Sequence, residues 1–277
     1  MTSNPAASFN ARLRQTVRAR GSLLCVGLDP ELEKLPAGLP RNTEGLVQFC
    51  CEIVSAAAPF AVAFKINFAF FEALGKGGWA ALERVAAALP PESIRIADAK
   101  RGDIGNTARL YAHAIFHELP FDALTANAYL GEDAALPFLE DTHKGAFFLC
   151  RTSNPGSGSI QLFPQLRREE QKPLYLHVAQ QAAAWNKNEN AGLVVGATHP
   201  DELARVRNEC PFLPFLIPGV GAQGGDLQAA LKFGAGATGD LCLINVSRAI
   251  IYAGSGKNFA EAAAAQADLL HRQMREK

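Results

Sequence analysis

Eight short apolar runs recur along the chain, at 23–28, 61–66, 94–97, 123–126, 146–150, 192–196, 215–218 and 241–246. Each is nearly continuous in hydrophobic residues rather than alternating, which is the pattern of parallel strands buried on both faces. Their starts lie 38, 33, 29, 23, 46, 23 and 26 residues apart, leaving room for one crossover helix after each strand. Helical patterning fills 46–58, then 79–89 up to Pro90 and Pro91, and 104–119 up to Pro120. It resumes at 200–208, where Thr198 is placed to cap with Asp201 three residues on, at 226–233 before Gly234, and at 259–275. Ahead of the first strand, Phe9, Leu13 and Val17 recur every four residues, as on a short N-terminal helical extension. Eight such units predict an α/β fold, a single (β/α)8 TIM barrel spanning 1–277. A doubly wound sheet is the alternative, but the regular repeat and the lack of a dinucleotide fingerprint favour closure.

Composition narrows the partners. With 277 residues, 27 basic and 27 acidic side chains, the formal charge is zero, so there is no basic excess for a nucleic-acid backbone. The longest uncharged stretch, 210–225, is broken by three prolines and four glycines and cannot span a bilayer. The first 28 residues lack an acid and carry four arginines, superficially like a transit peptide, but the helical period of Phe9, Leu13 and Val17 explains them better. Six cysteines without CxxC pairing, most in apolar runs, suggest reduced buried thiols and a cytoplasmic protein.

In barrels the chemistry gathers at the C-terminal ends of the strands, and the polar residues of this chain fall there. Asp29 follows the first run, and Lys65 and Asn67 close the second. Asp98, Lys100 and Asp103 follow the third, then Thr125 and Asn127, residues 151–154, Thr198, the loop 218–225, and Ser247 with Arg248. The densest segment is IRIADAKRGDIGNTA. Asp98 and Lys100 are two apart and project to one side of an extended chain, while Asp103 and Thr107 open the next helix. With Lys65 from the neighbouring strand they can form an alternating network of two cations and two anions, a setting that suits a lysine proton donor. A purely structural ion-pair network is the other reading of the same pattern.

A second cluster, IPGVGAQGGD, carries Gly219, Gly221, Gly224 and Gly225, whose backbone N–H groups can approach an anion closely. After the eighth strand, Arg248 offers a bidentate donor. Barrels often hold phosphate between these two loops, so a phosphorylated small molecule is expected; a flexible turn beside a surface arginine is the alternative. His113 and His117 lie four apart like a zinc pair but have no third ligand at metal spacing, so no metal is expected. Ser157 lacks the strand–turn–helix setting of a nucleophile elbow. Phe68, Phe70 and Phe71 read as barrel packing.

Taken together, LLCVGLDP, FKINFAFFEALG, IADAKRGDIGNTA, LTANAYLGEDAALPFL, RTSNPGS, GLVVGATHP, IPGVGAQGGD and INVSRAI resemble orotidine 5′-phosphate decarboxylases of the longer bacterial (type 2) subfamily. The DAKRGDIGNTA segment is the specific one. The resemblance implies conversion of orotidine 5′-monophosphate to uridine 5′-monophosphate, the last step of de novo pyrimidine nucleotide synthesis, without metal or organic cofactor. It implies Lys100 as proton donor, Asp98 beside the departing carboxylate, and Lys65 and Asp29 at the ribose and the charge network. Asp103 with Thr107 would come from the second subunit of a homodimer with shared sites. Thr152 and Ser153 would meet the pyrimidine, and Gln223 and Arg248 the phosphate, with Pro218 shaping the pocket. Two positions depart from the family's habit: Ile66 and Ala128 stand where proline is common. Neither replaces a functional group. Rival readings are a magnesium-dependent sugar-phosphate decarboxylase, which would call for a carboxylate ligand near Lys65 and Asn67, a Schiff-base aldolase using Lys65 or Lys100, and a non-catalytic phosphate-binding barrel.

Overall fold

A computed structural model describes residues 7–164, 172–221 and 224–275. Eight parallel strands close into a barrel in chain order: β1 (Leu24–Leu28), β2 (Ala63–Asn67), β3 (Ile94–Arg101), β4 (Ala123–Ala126), β5 (Gly145–Arg151), β6 (Ala191–Val195), β7 (Phe215–Pro218) and β8 (Cys242–Val246). Closure runs through β1 against β8, with Cys25 opposite Asn245. Strand residues are buried almost throughout, between the barrel interior and a surrounding layer of helices, which is why their sequences are continuous rather than alternating.

The longer helices are α1 (Phe9–Arg20), α2 (Thr43–Ala57), α3 (Gly75–Ala87), α4 (Gly105–His113), α5 (Leu174–Trp185), α6 (Pro200–Glu209), α7 (Leu227–Gly234) and α8 (Phe259–Arg275). Local chemistry sets several starts. Asn42 caps α2 by accepting from the Gly45 N–H at 3.0 Å, and Asp226 caps α7 by accepting from the Gln228 N–H at 2.7 Å. Gly45 itself is obligatory, because a Cβ there would lie 1.9 Å from the Pro40 carbonyl oxygen. The first helix crosses the N-terminal end of the barrel. Phe9, Leu13 and Val17 are buried, Phe9 meets Phe147 edge-on at 6.0 Å, and Arg12 pairs with Asp122 at 2.9 Å.

Four local expectations are corrected, and one interval left without a named helix is filled. The third strand continues past 97 to Arg101, carrying Asp98 and Lys100 within it. Between β4 and β5 there is no full helix, only the turns Glu132–Ala135 and Leu136–Phe138. The expected helix 104–119 is α4 followed by one π-helical turn, Ala114–Glu118, a wider winding that often interrupts α-helices. The long interval after β5 holds α5, whose Tyr175, Ala179 and Ala182 make a buried stripe at helical spacing. Thr198 does not cap α6: Pro200 occupies the first turn, His199 takes the cap position, and the Thr198 hydroxyl is buried without a hydrogen-bond partner among the described residues.

Candidate active site

At the C-terminal ends of the strands lies a cavity of about 260 Å³, and side chains from β2, β3 and β4 build a charge network on its wall. Lys65 and Asp98 share a face because parallel register sets Lys65 beside Ile96 and Asn67 beside Asp98. The Lys65 Nζ donates to Asp98 Oδ2 at 2.7 Å, and the Lys100 Nζ donates to Asp98 Oδ1 at 2.7 Å. The Thr125 hydroxyl donates to the same Oδ1 at 2.9 Å, and Asp29 lies 3.9 Å from the Lys65 ammonium. The order Asp29, Lys65, Asp98, Lys100 therefore alternates in sign.

Burial alone would push the Asp98 carboxyl up; Lys65 and Lys100 outweigh it and hold Asp98 well below the usual carboxylate range. Burial alone would lower Lys65, and Asp98 and Asp29 reverse that and raise it above an ordinary lysine. Both groups stay ionised at neutral pH. Lys100 differs in exposure: its side chain is 50% accessible, against 5% for Lys65. Lys65 is locked in the wall, whereas Lys100 reaches into the cavity.

The backbone at Lys100 is left-handed, with φ of 47°, in a region that a side chain with a Cβ seldom adopts. A register irregularity between β3 and β4, from Ala97 to Arg101, accompanies it, and the Lys100 N–H is held by the Thr125 hydroxyl oxygen at 3.0 Å. The pairing of Lys100 with Asp98 thus arises from a bulged strand and not from plain extended alternation. Thr125, absent from the site residues expected from the sequence, supports both partners. Its position at the end of β4 was the available signal.

The opposite wall comes from β7 and β8. Pro218, Gly219 and Val220 line the cavity with Ser247 and Arg248. Three of the four glycines of the β7 loop do something other than expected. The N–H groups of Gly221, Gly224 and Gly225 bond to the carbonyls of Gly225, Gly221 and Gly219, so they close the turn and do not face an anion. Arg248 remains the charged group at this end. Among the described residues the Asp29 Oδ1 and the Ser247 hydroxyl are buried without hydrogen-bond partners, and both residues line the cavity, where a ligand's hydroxyls can satisfy them.

Between these walls, Thr152 and Ser153 extend from β5, with Ser153 fitted against Gly196 so closely that a Cβ there would lie 3.0 Å from Ser153. Asp29, Lys65, Asp98, Lys100, Thr152, Ser153, Pro218 and Arg248 are thereby brought around one cavity. Asp103 and Thr107 are not: Asp103 accepts from the Ile104 N–H at 2.8 Å, and Thr107 is exposed on α4. Gln223 lies outside the described residues. Asn154 and Ser247, which the sequence placed at strand ends without giving them a role, line the cavity too, as does Asn245, which it did not single out. The His113 and His117 rings stack at 5.1 Å, and among the described residues no group of three His, Cys, Asp or Glu side chains could hold a metal ion.

Comparison with known proteins agrees with this geometry. The model of the orotidine 5′-phosphate decarboxylase / HUMPS family matches residues 22–263. An orotidine 5′-phosphate decarboxylase from Dehalococcoides mccartyi is 49% identical over 256 residues, 92% of this chain and 93% of that protein. One from Herpetosiphon aurantiacus is 47% identical over 268 residues, 96% of this chain and 98% of its own length. Among solved structures, the Leishmania donovani OMP decarboxylase superposes with a TM-score of 0.81 at 40% identity, covering 96% of this chain and 99% of that one.

Proposed function

The chain belongs to the orotidine 5′-phosphate decarboxylase / HUMPS family, and from that premise we propose that it decarboxylates orotidine 5′-monophosphate to uridine 5′-monophosphate with Lys100 as the proton donor. The observation that carries the residue assignment is the alternating chain Asp29–Lys65–Asp98–Lys100 on the wall of one cavity, ending in the accessible Lys100. The bond from the ring carbon to the carboxyl carbon breaks, carbon dioxide leaves, and the electron pair stays on the ring carbon. The Lys100 ammonium stabilises that charge and gives up its proton to the same carbon. Asp98 anchors two ammonium groups, so Lys100 is aimed before substrate arrives and little reorganisation is needed. Asp29 and Lys65 meet the ribose, Thr152 and Ser153 the base, and Arg248 with Gln223 the phosphate beside Pro218. Phosphate lies remote from the reacting bond, so its binding energy serves to orient the ring and exclude water. The reaction drawn in this way uses no metal or organic cofactor. It is the last step in making UMP de novo.

The same reading makes the protein a homodimer in which Asp103 and Thr107 complete the partner's network. In support, both lie away from the cavity of their own chain, beside Ile104 and Leu110, which are 59% and 60% exposed. A cytoplasmic location follows from six free cysteines, most of them buried. Among the described residues no helix is long and apolar enough to cross a membrane.

Loss of the orotate chromophore, followed with orotidine 5′-monophosphate in the presence of a chelator, tests the function. Turnover by the parent and its loss in Lys100→Ala are expected; a parent inactive under chelation would overturn the reading in favour of the magnesium-dependent rival. Trapping of substrate on a lysine by borohydride would favour the aldolase instead. Mixing Lys100→Ala with Asp103→Ala chains should restore partial activity through hybrid dimers, and no recovery would count against Asp103 acting in the partner's site.

A further inference from the structure

Arg151, at the end of β5, is buried at 3% exposure, and its guanidinium can only donate hydrogen bonds. Its Nε bonds Glu202 on α6, and its Nη1 bonds the Thr152 carbonyl, the Ser157 hydroxyl and the Gln161 Oε1, the last at 3.1 Å. Gln161 Oε1 also accepts from the Thr152 N–H at 2.9 Å, and two donors on one atom fix which end of the amide is oxygen. Gln161 Nε2 must then donate, and it does so to the Thr152 hydroxyl oxygen at 2.8 Å. Thr152 has one proton, which goes to Asn154 Oδ1 at 2.7 Å. Donation to Asn154 is the arrangement that gives the Thr152 proton a partner, and it carries the polarity set by the guanidinium along the loop to Asn154. Its oxygen is committed to Thr152, and its Nδ2, without a hydrogen-bond partner among the described residues, is left as a donor on a side chain that lines the cavity with Lys100.

We propose that Asn154 is a specificity-determining residue that donates from Nδ2 to the ring carbonyl across from the glycosidic nitrogen, its polarity imposed by Arg151 through Gln161 and Thr152. The inference rests on the substrate assigned above. With the phosphate held at the end of β8, the carbonyl opposite the glycosidic nitrogen is the part of the ring farthest from the ribose phosphate, towards β5. An amide that can only donate accepts a carbonyl and refuses an amino group there, since two facing donors leave both unsatisfied. Thr152 then meets the base through packing alone and serves as a positioning residue for Asn154, because its hydroxyl is spent on Gln161 and Asn154 and has no proton left for the base.

UMP and CMP differ at that ring position, carbonyl in one and amine in the other, so calorimetric titration of each into the full-length protein isolates the contact. The parent should prefer UMP by at least about tenfold, the size of one well-placed hydrogen bond. Asn154→Asp, isosteric but accepting, should weaken UMP about tenfold and abolish or invert the preference. Asn154→Ala should weaken UMP and leave little preference. Gln161→Glu cannot donate to Thr152, frees the Asn154 amide to turn, and should shift the ratio in the same direction by a smaller factor. In turnover, Asn154→Asp should raise KM more than it lowers kcat. A UMP-to-CMP ratio in Asn154→Asp within about twofold of the parent, which is under half a kcal/mol, would overturn the role of Asn154. A ratio changed there but untouched in Gln161→Glu would overturn the relay. A parent that binds UMP over CMP but fails to decarboxylate would overturn the activity and leave this contact standing.

Discussion

Lys65 at the C-terminal end of the barrel and Arg207 at its N-terminal end are both buried cations, and the groups that answer them differ. Lys65 is held by carboxylates, Asp98 at 2.7 Å and Asp29 at 3.9 Å. Arg207, on α6, meets no carboxylate among the described residues. Its guanidinium donates to the backbone carbonyls of Cys210, Leu213, Gly234 and Leu241 and stacks on the Phe215 ring at 3.6 Å. Burial pulls the Arg207 pKa down, to about 10, so it is still charged at neutral pH. Carbonyls belong to the loops entering β7 and β8, so satisfying Arg207 fixes those loops and leaves nothing to react. Carboxylates belong to side chains, so satisfying Lys65 leaves a second oxygen of Asp98 to orient Lys100. A cation paired to backbone ties segments together, and a cation paired to carboxylate transmits charge to a neighbour that solvent and substrate can reach.

Two substitutions press on that contrast from its two ends. Lys100→Ala should lower kcat/KM by at least about 10³-fold, since it removes both the proton and the charge stabilisation. Its midpoint of thermal unfolding should stay within a few degrees of the parent, because the side chain is half exposed. A parallel collapse of stability would mean that the mouth network is structural like the base. Arg207→Leu should do the reverse, costing about 3–5 kcal/mol in urea unfolding by stranding several buried carbonyls while kcat/KM of the folded fraction holds. Loss of activity without loss of stability would erase the distinction.

The same contrast separates what was legible in the sequence from what was not. The strands were, because burial on both faces leaves a continuous apolar run, and so was the position of Lys65, Asp98 and Lys100 at strand ends. The end of β3 was not: its last residues are charged, and hydrophobicity stops at Ala97 although the backbone pairing does not. Glycines of the β7 loop looked like anion donors, but an N–H is free only if the turn leaves it so, and hydrogen bonding within the turn is invisible to composition. Arg207 gave no signal at all. Its partners are carbonyls, which every residue carries, so only the fold reveals which of them converge. Gln161 was hidden for the same reason, and Thr125, though visible at the end of its strand, showed no role, since one hydroxyl or one amide acquires a role only from its partners.

Asp98 gives the comparison a pH axis. Its carboxyl is held below the usual range in the folded state, so its stabilising contribution is present above the ordinary aspartate pKa, about 4, and is lost as pH falls through the lower folded value. Lys65, raised when folded, contributes below the ordinary lysine pKa, about 10.4, and its share is lost only as pH rises past that. Asp98→Asn should therefore cost about 2–3 kcal/mol, with Asp29 still partly answering Lys65. That difference from the parent, read by urea unfolding, should be flat between about pH 5 and 9 and shrink below about pH 4. Arg207→Leu should show no such acid-side convergence, because the carbonyls that pair with it do not titrate. A cost for Asp98→Asn that persists unchanged at low pH would mean the carboxylate charge is not what holds Lys65.

Tyr252 decides whether position or pairing type governs the outcome, because it sits at the mouth yet bonds in the manner of the base. Its hydroxyl oxygen accepts the Glu31 N–H at 2.7 Å and lies 3.4 Å from the Asp29 carbonyl, so it ties the short helix that begins with Arg248 to the loop that carries Asp29. Burial pushes its phenol up to about 12, although the Glu31 N–H pulls the other way, so it stays neutral throughout the working range. Ring packing on Phe49 at 5.8 Å survives Tyr252→Phe, which removes only the hydroxyl. One neutral hydrogen bond to backbone is worth about 1 kcal/mol, so KM should rise a few-fold as Asp29 loosens, with kcat nearly unchanged. A kcat loss approaching that of Lys100→Ala would show that every polar group at the mouth belongs to the chemistry. An effect on unfolding alone, with KM untouched, would show that backbone pairing is structural wherever in the barrel it occurs.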